Sequence, residues 1–156
     1  MISVDDYLWY VDEALDGMVA IVTKLGDDKA NRRPDIPGAN SPYVILHHCL
    51  GVMEFWGGHV VAGRPVDRDR DAEFEARGPV DDLVRRTREA QAQLRKDVAE
   101  LDDSAPPRNV PDDEEDAALP LGRTQGGALF HIYEELAQHR GQMEGYRDII
   151  LAPWRQ

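Results

Sequence analysis

Along four long segments of this 156-residue chain, apolar residues recur at spacings of three and four, and nowhere do they alternate as a strand requires. That periodicity predicts an all-α fold. The first segment runs from about Ser3 to Leu25, where Leu8, Val11, Leu15, Met18, Val22 and Leu25 make one stripe. Ser3 can cap the amide of Asp6, and Gly26 is expected to end the helix. The second begins at Ser41 with Pro42 in its first turn and stops near Ala62-Gly63; its inward stripe reads Ile45, His48, Val52, Phe55 and His59. The third, about Pro79 to Leu101, is expected to bury Val80, Leu83, Val84, Leu94, Val98 and Leu101. The fourth starts after Thr124 and reaches about Leu151, with Ala128, Ile132, Leu136, Met143, Tyr146 and Ile150 on its apolar face. The segment Asp102 to Gly122, with four prolines and the acid run Asp112 to Asp116, reads as a long surface loop. A four-helix bundle in one domain over residues 1–156 is the expected architecture.

Acids outnumber bases 30 to 18, a net charge of −12, and no basic stripe offsets it. Such a surface repels nucleic acid and anionic membranes, so neither is expected as a partner. No apolar run approaches the roughly 20 residues of a membrane helix. The N-terminus, Met1-Ile2-Ser3-Val4-Asp5-Asp6, places acids where a secretion signal carries bases, so the expected location is cytoplasmic. The single cysteine, Cys49, cannot form an intrachain disulfide and reads as a small buried hydrophobe.

The informative residues are those that interrupt the stripes. His48 is in register with Ile45 and Val52, so its imidazole should point into the bundle. Glu135 and His139, four apart, share one helix face in line with Ile132, Leu136, Met143 and Tyr146. Unpaired polar groups are costly inside a protein, and a metal ion shared by the three would remove that cost. Two imidazoles and a carboxylate favour zinc, with iron or another divalent ion possible, and leave a coordination position open. A buried His–Glu hydrogen bond across two helices would satisfy the same groups without an ion.

Other polar residues are weaker candidates. His47 points about 100° away from its neighbour and suits a rim or supporting role. His131, one turn before Glu135, suits a supporting role as well. His59 reads as a satisfied core histidine, and Trp9, Trp56 and Phe130 as core or subunit packing. No metalloprotease motif, phosphate loop, dinucleotide fingerprint or nucleophile elbow is present.

Two stretches resemble the DinB-like superfamily, in particular its thiol-transferase branch, which includes mycothiol-dependent maleylpyruvate isomerase. They are Asn40-Ser-Pro-Tyr-Val-Ile-Leu-His-His-Cys-Leu-Gly-Val-Met-Glu-Phe-Trp56 and Leu129-Phe-His-Ile-Tyr-Glu-Glu-Leu-Ala-Gln-His-Arg-Gly-Gln142. Many DinB-like chains have histidine four positions before the His-Arg-Gly-Gln element; Glu135 stands there in this one, as in the isomerase and mycothiol-transferase branch. The resemblance implies an up-down-down-up bundle, a zinc site of His48, Glu135 and His139 with water in the fourth place, and a homodimer. It also implies a low-molecular-weight, mycothiol-like thiol as cosubstrate, activated for attack on a small electrophile. Arg140, Tyr43, Arg32 and Arg33 are candidates to contact the thiol's polar parts. The isomerase has a further C-terminal domain, whereas this chain ends at Gln156, so a stand-alone transferase is the expectation. A metal-dependent hydrolase and a non-enzymatic metal-binding stress protein are the alternatives.

Overall fold

The computed structural model describes residues 2–111 and 113–153, and these form helices with no strand. Asp112, the first of the expected acid run, lies outside the described residues. Ser3 accepts a hydrogen bond from the Asp6 amide at 3.0 Å and starts α1, Val4–Ala30. Gly26 breaks that helix at φ 67°, a left-handed conformation that glycine adopts without cost to a Cβ. One further turn follows the break, and it has a use. Asp27 accepts the Val80 amide at 2.8 Å, and Asn31 exchanges two hydrogen bonds with the backbone of Gly78. The end of α1 thereby caps α4, Val80–Asp97, whose own preceding residue is a proline. This helix stops short of the expected Leu101, although Val98 remains fully buried.

The second segment departs from a uniform helix. Ser41 caps the Val44 amide and starts α2, Pro42–Met53, but Glu54–Val61 is wound as a π-helix. There the Ala62 amide reaches back five residues to the Gly57 carbonyl at 2.9 Å. The wider turn rotates later side chains relative to an α-helix. Trp56 and Val60 therefore occupy the interior, while Phe55 and His59, expected on the inward stripe, lie half-buried at the rim. Gly57 permits this close fit, since a Cβ there would come within 2.5 Å of Leu94 on α4.

Neither connection is structureless. The link after Gly63 contains α3, Arg70–Glu73. The segment expected as one long loop carries α5, Glu114–Ala118, and α6, Pro120–Arg123. Asp113 accepts the amides of Glu115 and Asp116 and so nucleates α5, and Pro120 occupies the first turn of α6. Backbone bonds from Arg108 to Val60 and from Gly126 to Asp103 hold the segment against the body.

Thr124 caps the Gly127 amide and opens α7, Gln125–Leu151. Helices α1 and α2 pack on each other, and each packs on both α4 and α7. The shared core includes Leu15, Met18, Leu46, Met53, Leu83, Leu94, Ile132, Leu136 and Met143, all fully buried. Burying a side chain of this size is worth roughly 1.5–3 kcal/mol. No helix among the described residues is long and apolar enough to cross a membrane.

Candidate metal centre

Helix α2 supplies His48 and α7 supplies Glu135 and His139. One ligand atom from each lies within 4.8 Å of the other two. His48 Nε2 is 3.5 Å from Glu135 Oε2, and His139 Nε2 is 3.3 Å from the same oxygen. Both separations are longer than a good N–H···O bond. Glu135 and His139 sit about 60° round the helix from the fully buried Ile132 and Leu136 positions, at the margin of the apolar stripe. They are half-buried there, whereas His48 is buried.

What faces the centre is decided by what holds the far side of each ring. His48 Nδ1 lies 2.8 Å from Glu73 Oε2. Glu73 is ionised and accepts only, so Nδ1 carries the hydrogen. Arg68 grips the same carboxylate through Nε at 2.7 Å and Nη2 at 3.0 Å, and the Phe74 ring stacks on His48 at 5.4 Å. Space for Glu73 exists because residue 51 is glycine: a Cβ would lie 2.1 Å from Glu73 Oε1. His139 Nδ1 is 2.9 Å from Gln142 Oε1, and Gln142 in turn donates to the Tyr146 hydroxyl. Both imidazoles thus turn an Nε2 lone pair towards a carboxylate oxygen. Three acceptors face one another, and a cation is what such a trio lacks.

The electrostatics agree. Burial opposes charge on His48, but Glu135 and Glu73 outweigh it and raise its pKa above the ordinary 6.5. His139 and His48 hold the Glu135 carboxyl far below the usual carboxylate range. Burial would raise Glu73, yet His48 and Arg68 bring it down to about 2. A divalent ion in the trio would displace any proton that His48 carries there. Two nitrogens and an oxygen match the donor set of zinc sites that keep an open position. The open side here is a cavity of about 140 Å³ whose lining includes Trp56, Arg68, Arg70, Asp116 and His131.

The remaining sequence candidates fall in different places. His131 lines this cavity, its ring edge-on to Trp56 at 5.0 Å. His47 accepts from Arg86 at 2.9 Å, and burial together with that guanidinium lowers its pKa. Arg140 donates to the Glu13 carbonyl and pairs with Glu144, tying α7 to α1. Tyr43 is buried, and Gly78 leaves room for its hydroxyl. These last three do not line the cavity. Arg33 donates to the Phe74 carbonyl beside α3, and Cys49 is fully buried with its thiol pKa pushed well up by burial. Glu73 and Arg68 had no sequence signature of their own, lying in the charged link between the second and third long helices. The available clue was Gly51, a glycine inside a helix one turn beyond His48, which marks a close approach.

Fold and site together define an all-helical protein in which a His-Glu-His cluster from two facing helices could hold a metal ion. The family model of the DinB superfamily matches residues 10–143, a span that includes all three donors, and the chain belongs to that superfamily. Comparison with curated proteins gives no match.

Proposed function

We propose that the protein is a metal-dependent S-transferase that prepares a low-molecular-weight thiol for attack on an electrophile. The observation that carries this reading is the convergence of three lone-pair donors, both imidazoles held from behind, beside a small cavity that His48 and Glu135 line. Bound there, zinc would lower the pKa of a thiol in the open position and make thiolate available at neutral pH. Glu73 and Gln142 keep each Nδ1 protonated and each Nε2 free. Glu135 and His139 are committed to the ion, so neither serves as a general base. Arg68 and Arg70 present N–H donors to the polar body of a mycothiol-like thiol. The thiolate electron pair forms the new C–S bond, the leaving group departs with its bonding pair, and the thiol proton passes to solvent. Membership of the superfamily and a Glu–His pair on α7 support the thiol-transferase branch. The same reading takes the long helices to run up-down-down-up in a cytoplasmic homodimer.

Elemental analysis of the purified protein, beside a His48→Ala, His139→Ala variant, is the first test. About one zinc per chain, absent from the variant, is the expected result. Thiol-dependent consumption of an electrophile should then follow the metal. No ion, even after incubation with zinc, overturns the reading. Ester or amide cleavage that needs no thiol would make the protein a hydrolase instead.

A further inference from the structure

Beside the metal cavity runs a larger groove of opposite character. It lies where the start of α1 meets α6 and the first turns of α7, with a volume of about 540 Å³ and walls that include Val4, Tyr7, Leu101, Leu121 and Leu129. A polar group within it is already satisfied: the Tyr7 hydroxyl donates to the Leu129 carbonyl at 2.8 Å. Phe130 and Leu119 line it while remaining exposed, at 71% and 43% of their surface. Besides Tyr7, the titratable side chains of its lining are His131 and Glu134, one helical turn apart. His131 also lines the metal cavity with His48 and Glu135, so one imidazole is common to both spaces.

We propose that this groove binds the body of an uncharged, apolar small molecule whose reactive end passes His131 to reach the metal cavity. Its volume falls within the roughly 300–1,000 Å³ of small-molecule sites, and a wall of apolar carbon with one polar pair fits an alkyl or aryl body carrying one functional end. The shared His131 sets the direction in which that end lies. That the bound molecule is the electrophile rests on the transferase reading; that the groove takes an apolar body does not.

Nile red, a neutral apolar fluorophore, is titrated into the zinc-treated full chain and into a Leu119→Glu, Phe130→Glu variant. Both residues are exposed, so the replacements leave the core intact. Saturable binding by the native protein is expected, weakened roughly tenfold or more in the variant because two charges now face the ligand, with zinc content unchanged. The His48→Ala, His139→Ala variant should lose metal and keep the dye. With a thiol and bromoalkanes from butyl to octyl, kcat/KM should rise with chain length in the native protein and stay flat in the groove variant. In that reaction the C–S bond forms as bromide leaves with the C–Br pair, and the thiol proton goes to solvent. Dye binding that responds to the groove charges without any turnover would support the groove and discard the transferase reading. Absence of saturable binding, or binding indifferent to the two charges, overturns the proposal. So does a native dimer that excludes the dye and falls apart in the variant, which would make the groove a contact between copies.

Discussion

His48 and His139 offer the same atom to the same carboxylate, yet they are held by opposite means. His48 is buried, with a side chain 8% exposed, and its far nitrogen meets the ionised Glu73, 25 residues away and itself clamped by Arg68. His139 has a side chain 26% exposed, and its far nitrogen meets the neutral amide of Gln142, three residues along the same helix. A charged acceptor in a buried setting holds an imidazole more firmly than a neutral one beside water. The α2 side of the centre is therefore expected to be stiff and dependent on a distant partner, and the α7 side adaptable and self-sufficient.

Removing a ligand should have the largest effect, because it abolishes one corner of the trio. His48→Ala or His139→Ala is expected to weaken zinc binding by more than the roughly 10–100-fold that outer partners are worth. Competition titration with a chelating dye measures this, and native affinity in either variant would remove that residue from the centre.

Glu73→Gln should come next, costing about 10–100-fold in zinc affinity. It also has a pH signature. The Glu73 carboxyl is depressed from an ordinary 4.5 to about 2, so it stabilises the fold where the unfolded carboxyl is ionised. That contribution is present above about pH 5 and is lost as the pH falls through about 2, and it amounts to about 3 kcal/mol. Urea unfolding of the metal-free protein at pH 7 and near pH 3 should show a large acid loss that shrinks in the Gln variant. His48 has the opposite sign: its raised pKa stabilises the metal-free fold below the ordinary 6.5 and is lost as the pH rises through the higher folded value. Zinc must displace that proton, so its affinity should climb with pH over the same range.

Gln142→Leu is expected to cost less than Glu73→Gln, about tenfold or below, since water can reach the half-exposed His139 and replace the lost acceptor. The reverse ranking would break the contrast between the two sides. His47→Ala should change zinc affinity least of all, because that imidazole is occupied by Arg86 and does not line the cavity. A clear loss there would mean that α2 presents its other histidine to the centre.

Much of the helical frame was legible because its signals are local. Ser3, Ser41 with Pro42, and Thr124 each mark a helix start where a hydroxyl accepts an amide a few residues on. The π-helical stretch was not legible, because the periodicity of Phe55 and His59 suits an ordinary helix. What displaced them is a wider turn seated against Leu94 of α4. The two short helices in the 102–122 segment were hidden for a similar reason: they are too short for a period, and backbone bonds to Val60 and α7 hold the segment in place.

By itself the sequence determined where the four long helical stretches lie and which polar side chains fall near an apolar face, since hydrogen bonding within a helix and a period of 3.6 residues are properties of neighbours in the chain. It thereby brought His48, Glu135 and His139 under suspicion together. Only the tertiary structure decided which nitrogen of each imidazole faces the centre. For His48 that choice belongs to Glu73, an acid in an aperiodic polar link that becomes a buried, depressed carboxylate when Arg68, His48 and the bare backbone of Gly51 close around it.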